Sequence, residues 1–158
     1  MNKGMMYTLG NIMIAVPGFL YIFWGNLIFD QNEFIFFIKA KAIFLLCIPL
    51  TSLGMSQAIA YMWRERNILK KSYYHTIFLQ ATLGAVIFFF LYTFSQTLIW
   101  FSEFTIIDLF FLSCAATLHC INNEKLNVYR LINNSRQFLW MNLVRATLNI
   151  SLFILSSN

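Results

Sequence analysis

The amino-acid sequence predicts an all-α, polytopic membrane protein with about five transmembrane helices, and three observations carry that expectation. Apolar residues make up 59% of the chain and charged residues only 11%, against about 25% charged in an ordinary soluble domain. A soluble protein of this size has too little interior to hide so much Phe, Ile and Leu. Two runs, TLGNIMIAVPGFLYIFWGNLIF and IFLLCIPLTSLGMSQAIAYMW, are free of charge and have the roughly twenty residues that a helix needs to cross bilayer hydrocarbon. Finally, the Lys and Arg residues fall in short clusters between apolar runs and not on one extended face. That distribution reports topology and argues against nucleic acid as a partner.

The first span is expected over residues 7–29. It is too long for a cleavable signal peptide and has no small-residue cleavage site, so it is expected to remain as an anchor. Along it Asn11, Gly18 and Gly25 recur every seven residues with Ala15 nearby. Such a small, weakly polar stripe suits close approach of another helix in lipid. Pro17 beside Gly18 marks a bend, read either as packing alone or as a hinge.

Residues 30–41 balance Asp30 and Glu33 against Lys39 and Lys41. The segment EFIFFIKAKA is apolar enough to be an interfacial extension of the next helix. Lys39 and Lys41 then either snorkel to headgroups or point into a polar cavity. The second span, 42–63, carries Pro49, Thr51, Ser52, Gly54, Ser56 and Gln57, with Ser52 and Ser56 on one face. Gly54 to Ala58 faintly matches a serine-nucleophile elbow, but no strand or partner residues accompany it.

A basic segment with Arg64, Arg66, Lys70 and Lys71 precedes the third span, 73–100, which opens on Tyr73, Tyr74 and His75 and closes at Trp100. Aromatic residues at both ends fit two membrane interfaces. Thr76, Gln80 and Gly84 line one side of it. The fourth span, 106–122, places Asp108 and His119 on one helical face. They are a candidate proton or ion path, set against a structural role near the ends of the span where water reaches. His119, Cys120 and Glu124 diverge around the helix too widely to make a metal set.

The loop that follows, NNEKLNVYRLINNSR, is basic, and the fifth span, 137–155, carries Arg145 near its middle with Asn142 and Asn149 on the same face. A guanidinium there costs at least a few kcal/mol against lipid. It pairs with an acid on a neighbouring helix, or it contacts an anionic substrate group such as phosphate, for which its planar fork is suited. The three cysteines, Cys47, Cys114 and Cys120, lack CxxC spacing and are read as small core residues. Eight Lys and Arg residues fall on one side of this five-span scheme and only Lys39 and Lys41 on the other. The bias predicts a cytoplasmic N-terminus and a tail on the opposite side.

The stretches LGNIMIAVPGFL, NEFIFFIKAKAIF and PLTSLGMSQAIAYMW with its basic loop, and the later LNVYRLINNSRQFLWMNLVRATLNISLFIL, are together similar to the N-terminal part of bacterial polysaccharide (O-antigen type) flippases. These belong to the multidrug/oligosaccharidyl-lipid/polysaccharide exporter superfamily, whose members have twelve or more helices in two pseudo-symmetric bundles. The resemblance implies residence in the bacterial inner membrane and a role in O-antigen and lipopolysaccharide biosynthesis. It implies transport of a polyprenyl-diphosphate-linked oligosaccharide between leaflets, with a cationic cavity for the headgroup and no cofactor. Arg145 is then the first substrate-contact candidate, with Lys39, Lys41, Asn142 and Asn149 beside it.

The chain departs from that pattern in lacking a sixth helix and a second bundle. Alternating access needs two bodies that rock against each other. The chain is therefore expected to be a truncated, inactive product or to assemble with a complementary membrane chain. The rival reading is a small structural or accessory subunit of a glycan-assembly complex. An enzyme is not expected, since no segment gathers an acid, a base and a nucleophile.

Overall fold

The computed structural model describes residues 2–66, 69–98 and 101–156. Among these there is no strand, and six helices follow one another: α1 (Lys3–Ile28), α2 (Gln31–Ser52), α3 (Met55–Arg66), α4 (Leu69–Thr97), α5 (Ile106–Leu131) and α6 (Ser135–Ser156). Four stretches are long and apolar enough to cross a membrane: Lys3–Gly25, Gln31–Tyr61, Tyr74–Thr97 and Ile106–Leu131. Large apolar side chains along them face outward, with Phe19 66%, Phe23 64% and Phe78 74% exposed. Exposure on that scale is unfavourable in water and natural against lipid tails, so this is an all-α, multi-pass membrane protein.

The helix ends follow local chemistry. At α2 the Asp30 backbone N–H donates to Glu33 Oε2 at 3.4 Å, and the helix starts upstream of the predicted span, as expected of a helical extension over EFIFFIKAKA. A break then divides the predicted 42–63 span: Leu53 and Gly54 take φ of +34° and +75°, and the chain restarts as α3. Gly54 adopts that left-handed conformation without steric penalty. α1, by contrast, passes through Pro17 as continuous helix. Trp100, read as closing the third span, and Asn158, read as the tail, lie outside the described residues.

The fourth span extends well beyond its predicted limit of 122, to Leu131. The stretch read as loop continues the same buried face, with Glu124 and Leu126 covered after Ser113, Ala116 and Cys120. Asn133, at φ +57°, then ends the helix, and the Asn134 N–H returns to the Tyr129 carbonyl at 2.8 Å. Asn134 in turn caps α6, its Oδ1 accepting from the Gln137 N–H at 3.2 Å.

The chain divides into two compact units, a terminal unit (Met1–Ile35 and Val128–Asn158) and a central unit (Phe36–Asn127). In the terminal unit α1 lies along α6. Tyr7 meets Phe138, and further along Tyr21 meets Asn149, so the two helices run in the same direction. α6, the predicted fifth span, contains Asn142, Arg145 and Asn149 and is not among the four most apolar stretches. It nonetheless runs side by side with α1, one of the four candidate spans.

In the central unit Ile43 and Cys47 of α2, Ile87 and Leu91 of α4, and Leu109 and Ala116 of α5 form the core with Phe104. Gly84 lets α4 approach α5, because a Cβ there would collide with the Thr117 hydroxyl. Phe88 meets Phe110, so α4 and α5 are antiparallel. Cys47 and Cys120 are buried, Cys114 is half-buried, and none of the three is in a disulfide.

Candidate functional site

The α1–α6 seam holds most of the predicted polar residues. Asn142 is fully buried there, and neither its amide nitrogen nor its oxygen has a hydrogen-bond partner among the described residues. An unsatisfied buried amide costs about 1–3 kcal/mol, so its presence asks for an explanation. Gly10 is what admits it. A Cβ at that position would lie 2.6 Å from the Phe138 ring and 3.0 Å from Asn142 Nδ2.

Arg145 follows one turn later and is half-buried. Asn149, also half-buried, contributes its backbone: the Tyr21 hydroxyl donates to the Asn149 carbonyl oxygen at 2.6 Å. The stripe expected to face another helix meets α2 at Gly25, which is buried beside Phe34, while the face of α1 that meets α6 is a different one. Gly18 has open space around it, while Gly10, Pro17 and Tyr21 are covered or half-covered. The contact face is thus turned by one residue, about 100°, from the Asn11–Gly18–Gly25 stripe. Small size marked a helix contact correctly, but Tyr21, which anchors it, is not small.

Asn11 itself lies beside that face and meets another group. Arg130, in the last turn of α5, donates from Nη2 to Asn11 Oδ1 at 2.6 Å and lies 4.6 Å from the centre of the Phe138 ring. Tyr7 packs edge-on against the same ring, and its hydroxyl oxygen is buried with no partner among the described residues. Sequence reasoning missed Tyr7 and Arg130 because Arg130 was assigned to a loop.

The other predicted residues belong to the central unit. Lys39 Nζ lies 2.7 Å from both carboxylate oxygens of Glu103, and Lys41 is half-buried on the same helix. Asp108 is half-buried and caps α5, accepting from the Thr105 N–H at 2.8 Å and the Thr105 hydroxyl at 2.7 Å. The Asp108 N–H donates to Thr105 Oγ1 at 3.2 Å, completing a reciprocal pair. His119 is half-buried with its ring edge-on to Phe44 at 5.5 Å. Eleven residues of helix separate Asp108 from His119, about 16 Å at the usual rise, so the two are not in direct contact.

Two further polar side chains are fully covered in this unit: Gln80 of α4 and Glu124 of α5. Gln80 finds no hydrogen-bond partner among the described residues. Glu124 was the harder to foresee, although its spacing from Ser113, Ala116 and Cys120 continues one helical face. Among the described residues no three His, Cys, Asp or Glu side chains converge as metal ligands. What the described side chains offer is hydrogen bonding and fixed positive charge. Comparison of the chain with known protein families, with curated proteins and with solved structures returned no match.

Proposed function

We propose that this chain is a component of a polysaccharide flippase, acting on polyprenyl-diphosphate-linked oligosaccharide at the bacterial inner membrane. The observation that carries the reading is the polar face of α6. Asn142 is wholly buried and lacks an internal partner among the described residues, and Arg145 sits one turn further along the same helix, which runs beside the candidate span α1. Polar and ionisable groups within a membrane are costly and are retained where they contact substrate or line its path. A guanidinium presents a fork that matches phosphate oxygens, which suits a diphosphate headgroup. The similarity of the opening hairpin and the 126–155 region to O-antigen-type flippases supplies the substrate class.

The test is glycan export in a complemented strain. Arg145→Ala is expected to abolish export and Arg145→Lys to retain part of it, at equal membrane abundance. A second reading, an accessory subunit that scaffolds a glycan-assembly complex, is favoured by the structural use of two candidates. Lys39 pairs with Glu103 and Asp108 caps α5. If neither Arg145 variant alters export while loss of the whole chain does, the accessory reading replaces the first.

A further inference from the structure

We propose that the end of the terminal unit where α1 begins, α5 ends and α6 begins is a binding site for the phosphate of a membrane-lipid headgroup, with Arg130 as its cation. The Arg130 guanidinium is held before any ligand arrives. Its Nη2 is bonded to Asn11 Oδ1 at 2.6 Å and it lies 4.6 Å from the Phe138 ring centre. One bond and one stacked face leave several of its five N–H donors directed elsewhere, and Arg130 is exposed. A group fixed in this way loses little freedom on binding.

Charge compensation cannot come from within this unit near Arg130. Residues 1–29 and 128–158 contain no Asp or Glu, whereas they contain Lys3, Arg130, Arg136 and Arg145. The acids of the terminal unit, Asp30 and Glu33, lie beyond the far end of α1, about 40 Å from its start by helical rise. The first turn of α6 also carries no acid, which leaves the positive end of its dipole uncompensated. A second, independent sign is the set of polar groups around Phe138 that lack partners among the described residues. The Tyr7 ring packs against that ring and its hydroxyl oxygen is buried without a partner, and the buried Asn142 amide is one turn away on α6.

The surroundings select the source of the phosphate. Met5 of α1 and Ile132, Trp140, Leu143 and Val144 next to the site are exposed apolar side chains. An anion site bordered by such a surface meets acyl chains beside it, with an indole at the boundary, which is the setting of a lipid headgroup and not of a soluble anion. The inference is independent of what Arg145 does.

The full chain, purified in detergent and placed in nanodiscs of phosphatidylcholine with and without phosphatidylglycerol, is examined by native mass spectrometry for retained lipid. Retention of phosphatidylglycerol over phosphatidylcholine is expected, falling about tenfold in Arg130→Gln, as loss of a charge-assisted contact predicts. Arg130→Lys should keep part of it. Asn11→Ala, which leaves the charge but frees the guanidinium, should fall between, so the outcome does not rest on one variant's folding. Lys125→Gln, the same charge change about 140° around α5, should retain lipid as the parent does. Equal retention in Arg130→Gln and the parent overturns the proposal. Arg130-dependent binding of inorganic phosphate alone, without lipid selectivity, overturns the lipid source.

Discussion

The Tyr21 hydroxyl of α1 donates a 2.6 Å hydrogen bond to the Asn149 carbonyl oxygen of α6. It joins the first helix to the last across 128 residues of sequence and, with Tyr7 against Phe138, fixes their common direction. Two helices that run in parallel put the start of α1 and the end of α6 at opposite ends of the terminal unit.

Tyr21→Phe keeps the ring and removes the donor. It should lower stability by about 0.5–1.5 kcal/mol, read as a reduced thermal midpoint in detergent. Asn149→Ala leaves the accepting carbonyl in place and should cost less. An Asn149→Ala loss as large as that of Tyr21→Phe would show that the side chain, not the backbone, carries the contact.

At Gly84 any Cβ meets Thr117. Gly84→Val should destabilise the central unit by about 1–3 kcal/mol through forced separation of α4 from α5. Adding Thr117→Gly should restore part of the loss. Measured by unfolding in detergent, additive effects of the two changes would contradict a direct contact between the positions.

For Asp108 the reciprocal bonds with Thr105 predict a structural outcome. Asp108→Ala should cost about 0.5–2 kcal/mol. Asp108→Asn, which keeps an accepting oxygen, should cost less and leave export intact. Complete loss of export in a stably inserted Asp108→Asn protein would instead place the carboxylate on a proton path.

Stability and function should part company at Asn142. Asn142→Leu replaces an unsatisfied buried amide with an apolar group of similar size and should stabilise the protein by about 1 kcal/mol. Export should fall in the same variant. A stabilised protein that exports normally would remove Asn142 from the substrate path.

Glu103 is half-exposed, at 52%, so its pair with Lys39 is screened by water. Lys39→Met should therefore change stability by less than about 1 kcal/mol. Loss of export in that variant at normal abundance would return Lys39 to the substrate cavity.

The division between what was legible and what was not follows from range. Length and hydropathy of consecutive residues set the spans, so α1, α4 and the joined α2 and α3 were readable in the chain. Even the α2 extension over EFIFFIKAKA was visible, because burial in lipid acts on each residue where it stands. The Gly84 stripe was also readable, since Thr76, Gln80 and Gly84 repeat at helical spacing on the face that is buried. The limit of α5 was not, because Glu124 and Arg130 look like loop residues until a neighbouring surface covers the first and Asn11 receives the second.

The sequence alone determined that this protein is helical and crosses a bilayer, for a charge-free run of sufficient length must satisfy its own backbone in lipid. Only the tertiary structure decided which polar side chains serve the fold and which are left over. Lys39 and Asp108 found partners within the chain, while the Asn142 amide and most of the Arg130 donors did not, among the described residues. The physical reason is that a hydrogen bond depends on what lies within about 3 Å. Pairs such as Tyr21 with Asn149, or Asn11 with Arg130, are brought to that distance by packing and by no pattern along the chain.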